Sequence, residues 1–248
     1  MTARPRPGTT LRRVHRWVVG VTVALVLCAT LLVLVLTSLA RSAPSWWRSV
    51  RATDPATIAR AETIENGLVN VMYEVRPEAS EPWSVGVRAA DANAWLNTRL
   101  AQWLLNRDER FVWPERVRNV QVEFDRGVVQ VGVEYVRDER PQVISATLRP
   151  EFHDDGSLWV RAESVSIGRL PLPADWILDQ AESAWPDLFA SGGTEDPEVR
   201  RLFDALAGAG PLATDPRVSL GDGRRVRILA VRSSGSTLHL TMQTEFED

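Results

Sequence analysis

Apolar and polar positions follow three different periods along this chain, and each period marks a different kind of element. From Val18 to Ala40 there is no alternation at all: the run VVGVTVALVLCATLLVLVLTSLA holds 23 residues and no charge. At a helical rise of about 1.5 Å per residue it would reach about 34 Å, enough to cross a hydrocarbon core of about 30 Å. Next, Ile58, Ala61, Ile64, Leu68, Val71 and Met72 recur at spacings of three and four. They predict an amphipathic helix over 55–73, with Asp54 as its cap and Pro55 at its first position. Residues 77–82 read as a linker, and Trp83, Val85 and Val87 alternate as a short strand. Asp91 is then expected to cap a second helix with Ala92, Trp95, Leu96, Leu100, Trp103 and Leu104 on one face.

From Val117 the period becomes two. Val120, Val122 and Phe124 oppose Asn119, Gln121 and Glu123, and Asp125-Arg126-Gly127 turns the chain into Val129, Val131, Val133 and Tyr135. Ile144, Ala146 and Leu148 predict a third strand, joined through His153-Asp154-Asp155-Gly156 to a fourth over 157–167. One apolar face per strand predicts an antiparallel meander with that face buried. IGRLPLP, Ile167 to Pro173, ends it as a stiff strand exit, or as the rim of a cavity. A helix over 174–184 with Ile177, Ala181 and Ala184 should break near Pro186. Another should open at Asp196-Pro197 and close near Gly208, and a hairpin turning at Ser234-Gly235 ends the chain. The expected fold is α+β: a single N-terminal transmembrane helix, then one domain in which helices cover one face of a curved antiparallel sheet.

Charge gives the uncharged run an orientation. Residues 1–40 contain five arginines and no acid, whereas from Arg41 onward 24 arginines face 32 acidic residues, a formal net charge of −8. Arginines before the run predict an inner or plasma membrane protein crossing once, N-terminus cytoplasmic, C-terminal domain periplasmic or extracellular. The anchor is read on Trp17, Val18, Leu25, Leu32, Leu36 and Ala40, with Trp46 and Trp47 at the far interface. A cleaved signal peptide is the competing reading, because Ser38-Leu39-Ala40 is a small-x-small triplet. Signal h-regions, however, run to about 7–15 residues. The division is then a cytoplasmic tail over 1–17, the span over 18–40, a juxtamembrane linker over 41–53 and the domain over 54–248. A domain this acidic should on average be repelled by nucleic acid and by anionic headgroups. The chain has no lysine, which we read as coding bias, and its single cysteine, Cys28, lies within the uncharged run.

Three features together resemble the YpmS-like family of bacterial membrane-anchored envelope proteins. They are the anchor followed by a helix, the short strand leading into a helix with the core Asn93-Ala94-Trp95-Leu96, and a meander ending in Ser166, Gly168, Leu170, Pro171, Leu172 and Pro173. The resemblance covers about residues 17–175. It implies a pattern similar to tubular lipid-binding domains, with a curved sheet around an apolar cavity, and therefore a lipid or other hydrophobic ligand. It implies no catalytic residue.

The residues themselves offer little catalysis. His15 lies on the tail, His153 in a turn, and His239 among polar strand positions; no HExxH, GxSxG or phosphate-binding glycine loop occurs. Scattered acids such as Asp154 and Glu163 read as surface charge. Nine tryptophans follow residue 40, as core residues or as the lining of a groove. The expectation is a non-enzymatic envelope protein with no cofactor or metal, binding a hydrophobic ligand through Trp95, Trp103, Leu170, Leu172 and Trp176. The alternative is an interaction module that docks an envelope partner without a cavity; no protein partner is indicated.

Overall fold

A computed structural model describes residues 9–76, 81–109, 111–137, 139–174, 177 and 197–246. Helix α1 (Thr9–Arg41) contains the uncharged run, and α2 (Pro55–Tyr73) follows. Strand β1 (Trp83–Arg88) leads directly into α3 (Ala89–Thr98), which breaks at Arg99 into α4 (Leu100–Arg107). The meander is β2 (Val117–Asp125), β3 (Val128–Arg137), β4 (Arg140–Phe152) and β5 (Leu158–Ile167), with a short β6 (Leu170–Leu172). Helix α5 (Pro197–Leu206), β7 (Arg217–Ser219), β8 (Arg224–Ser234) and β9 (Thr237–Phe246) complete the chain.

The fold is α+β, but it holds two antiparallel sheets where one was expected. The five-stranded sheet runs β2-β3-β4-β5-β6, and the four-stranded sheet runs β1-β9-β8-β7. The division follows from a long-range pairing: β1 aligns with β9, Trp83 opposite Met242 and Arg88 opposite Thr237. No local pattern announces that partner. At Arg126 (φ 40°) and Gly127 (φ 87°) both central residues of the β2–β3 turn are left-handed, as a two-residue hairpin needs. The Gly127 N–H donates to the Ser233 carbonyl and the Ser236 N–H to the Phe124 carbonyl, so the sheets meet at this turn.

The central core lies on the four-stranded sheet. Leu220, Val226 and Met242 are buried there, with Met72 of α2, Trp83, Val85, Ile228 and Leu240 packed around them. Arg224 closes the far end of α2 by donating to the carbonyls of Tyr73 (3.1 Å) and Glu74 (2.8 Å), groups a helix terminus leaves unpaired. Asp222 holds the same guanidinium at 2.6 Å. That bond keeps the Asp222 carboxyl below its ordinary range and raises Arg224.

Local expectations need several corrections. Asp54 stands at the cap position of α2 without a side-chain bond to a helix N–H. Helix α3 begins at Ala89, not after Asp91; Asp91 sits in its first turn and receives Arg60 and Arg88. The final hairpin turns at Gly235 and Ser236 (φ 54° and 61°). Strand β4 starts four residues before Ile144. The helix predicted over 174–184 falls mostly outside the described residues.

Candidate functional site

The segment after α1, expected as a linker, is fixed to the five-stranded sheet. The Arg169 N–H in the β5–β6 turn donates to the Leu39 carbonyl at 2.9 Å. Gln142 Nε2 donates to the Ala40 carbonyl at 3.3 Å. Gly168 (φ 58°) makes this approach feasible, since a Cβ there would overlap the Ala40 carbonyl and lie 2.6 Å from the Ser42 carbonyl oxygen. The glycine in the IGRLPLP motif is thus the seat of the helix end, and Leu170-Pro171-Leu172 is a paired edge strand rather than a free exit.

Beyond the helix end, Trp46 and Trp47 meet edge to face at 5.6 Å and press on Gly132 of β3, where an added Cβ would come within 2.8 Å of both rings. Gln121, 1 % exposed, accepts from the Arg48 N–H at 3.1 Å and donates to the Arg48 carbonyl. Its amide takes the place of a neighbouring strand. This polar face of the sheet is therefore partly covered.

Edge strand β2 is completed in a related way. Asn93 donates to the Val122 carbonyl (3.0 Å) and accepts its N–H (2.7 Å); Asn97 donates to the Val120 carbonyl (2.8 Å) and accepts its N–H (3.2 Å). Two asparagines one helical turn apart thus satisfy alternate residues of an exposed strand edge, which would otherwise invite pairing with another chain.

The opposite face of the same sheet is apolar across all five strands. The register places Leu172, Val165, Ala146, Val131 and Val122 in one row, and Leu170, Ile167, Ile144, Val133 and Val120 in the next. Only Val165 is buried among these ten; Ile144, mid-sheet, is 42 % exposed and the others are half-buried. The predicted ligand residues Leu170 and Leu172 lie at one side of this face.

The other predicted ligand residues do not join them in a pocket. Trp95 and Trp103 meet edge to face at 6.3 Å on α3 and α4, where Trp103 is 47 % exposed. Trp176 lies outside the described residues. Two pockets formed by described residues are open and of mixed polar and apolar lining. One, of about 990 Å³, runs between the 48–54 segment, α2 and α3; the other, of about 620 Å³, lies beside α5. Neither touches Trp95, Trp103, Leu170 or Leu172.

Of the residues expected to form an anchor, Leu25, Leu32 and Leu36 are exposed along α1, Leu25 at 65 %, and Ala40 is half-buried at the seat. Thr30 and Thr37 return their hydroxyls to the carbonyls four residues back, at 2.8 and 2.7 Å. The side chains of Trp17 and Val18 are outside the described residues. Among the described residues no helix is long and apolar enough to cross a membrane. Side chains of α1 are described at Thr22 and from Leu25 onward.

His153 is exposed and stacks on Trp159 at 4.8 Å. In its turn the Ser157 hydroxyl and N–H both donate to Asp155, holding that carboxyl below its usual range. Among the described residues no group of three His, Cys, Asp or Glu could hold a metal ion. Searches among family models, curated proteins and solved structures find no match to this chain.

Proposed function

We propose that this chain is a non-enzymatic protein of the bacterial envelope, anchored once in the inner or plasma membrane through α1. Its domain lies outside the cytoplasm and holds a lipid-like ligand against the apolar face of the five-stranded sheet. The carrying observation is the pair of five-residue apolar rows with Ile144 open at their centre. An exposed apolar patch of this kind marks a surface meant to be covered. Its position beside the α1 seat puts it next to a source of acyl chains. The family resemblance to YpmS-like proteins belongs to the same proposal.

The second reading, a protein partner docked on this face, is favoured by the position of both described pockets, neither of which is lined by a residue of the rows. One experiment separates the two. A photo-reactive benzophenone side chain replaces Ile144, and in a control Gln130 on the opposite face, in the full chain in native membranes. Lipid adducts at 144 and not at 130 are expected; protein adducts alone would establish the partner reading. Equal labelling at both positions would defeat both.

A further inference from the structure

The five-stranded sheet has two ends of different charge, and α1 is seated at one of them. That end consists of the starts of β2 and β4, the β3–β4 turn and the β5–β6 turn. It carries Arg118, Arg140 and Arg169, all exposed, together with Arg41 at the last position of α1. Among the described residues none of these four guanidinium groups has a carboxylate partner. Arg116 is also there, donating to the Tyr135 hydroxyl at 2.9 Å. Among the described residues the acids of this end are Glu115 and Glu139, both exposed, and Glu134, which receives Asn119; Asp138 of the β3–β4 connection lies outside the described residues. Val112, in the loop that leads into β2, is 67 % exposed. The opposite end carries exposed Asp125, Glu151, Asp154 and Asp155, and its Arg126 is paired to Asp125 at 3.3 Å.

Position gives this asymmetry a meaning. Leu39 and Ala40, the last residues of the uncharged run, are the residues whose carbonyls bind Arg169 and Gln142. If the run crosses the bilayer, the β5–β6 turn stands at headgroup level, and the arginines spread from it across five strands, about 19 Å at about 4.8 Å per strand. An exposed guanidinium is a fork of donors that suits phosphate oxygens.

We infer that this arginine-bearing end of the sheet rests on the outer surface of the same membrane and binds anionic phospholipid headgroups. The domain as a whole is acidic; the surface nearest the bilayer is not. The contact fixes the tilt of the domain, with the acidic turns pointing away from the membrane and the apolar rows standing beside the lipid. This rests on the anchor reading of α1.

The test uses the full chain, with Cys28→Ala, in nanodiscs of phosphatidylcholine alone or with one-third phosphatidylglycerol. A fluorophore is placed at Glu139→Cys near the proposed contact, or at Asp154→Cys at the far end, and quenched by a headgroup-attached quencher lipid. Quenching at 139 should be roughly twofold stronger in the anionic discs, fall in high salt, and be absent at 154. R118Q/R140Q/R169Q should abolish the lipid dependence while the far-UV spectrum stays that of the parent. Quenching at 139 that is indifferent to phosphatidylglycerol and to the triple substitution overturns the headgroup contact. Flotation separates that result from failure of the anchor: protein that does not float with the discs overturns both.

Discussion

In the four-stranded sheet Val226 and Thr244 are fully buried and Met242 nearly so; Met72 of α2 packs against Val226 and Met242, and Arg224 locks the end of that helix in place. In the five-stranded sheet the central apolar position, Ile144, is 42 % exposed, while a buried glutamine and two tryptophans occupy the polar side. The four-stranded sheet thus encloses Val226 and Met242 under α2, whereas the five-stranded sheet encloses Phe124, Ala162 and Val165 of its apolar face and leaves Ile144 open. Folding free energy comes chiefly from enclosed apolar surface. Enclosure therefore contributes most around Val226 and Met242 and around Phe124, Ala162 and Val165, and least at Ile144.

The sharpest way to break this comparison is a matched pair of charges. Val226→Asp should cost about 4 kcal/mol or more, since an unpaired carboxylate would enter a closed core. Ile144→Asp should cost under about 1 kcal/mol, because water already reaches the site. Urea unfolding of residues 44–248 measures both, and similar losses would erase the distinction.

Next in size is the edge of β2. N93A/N97A removes four hydrogen bonds between α3 and the strand and should cost about 2–4 kcal/mol. It should also raise concentration-dependent aggregation, visible by light scattering, because the bared edge can pair with another copy. Stability loss without aggregation would mean that the edge is protected by something other than the asparagines.

Much of this was legible in the sequence, and the illegible parts share a cause. Alternation located β2 to β5, and three- and four-residue spacing located α2 over Pro55–Tyr73, because these patterns are local. Nothing local tells β1 that its partner is β9, so two sheets were read as one. Asn93, Asn97 and Gln121 looked like ordinary polar positions, yet they serve as substitute strand partners for segments distant in sequence. Gly132 carried no signal until the two indoles were found on it. Gly168 stood out within a motif, and its positive φ and its contact with Ala40 and Ser42 give the motif a reason. Exposure of the apolar face was the hardest to foresee, because alternation tells which side of a strand is apolar but not whether anything covers it.

A smaller effect is expected at Gly168. G168A should cost about 1–2 kcal/mol through its left-handed backbone and the overlap with the helix-end carbonyls. Its informative readout is hydrogen exchange: the Arg169 amide should lose protection while amides of β8 and β9 keep theirs.

The smallest effect concerns acid. Asp222 titrates below its ordinary value when folded, so its ionised form favours the native chain at all pH values above about 3.9, the unfolded value. That contribution fades as pH falls further, through the depressed folded value. D222N should lower the urea midpoint at neutral pH and flatten its decline in acid; an unchanged acid limb would show that Arg224 is held by the helix carbonyls alone.

The seat at Gly168 also changes how the domain meets other molecules. A free 13-residue linker over 41–53 would let it wander with a typical reach of about 20 Å in every direction. With Leu39, Ala40, Trp46, Trp47 and Arg48 all held by the sheet, that wandering volume is withdrawn, and, on the proposed anchoring, height above the bilayer and rotation about α1 are set together. If α1 crosses the membrane as proposed, encounter with a membrane-embedded partner or lipid becomes a search in two dimensions at one fixed presentation. Every collision in the plane offers the same surface, and a low intrinsic affinity can be enough for capture.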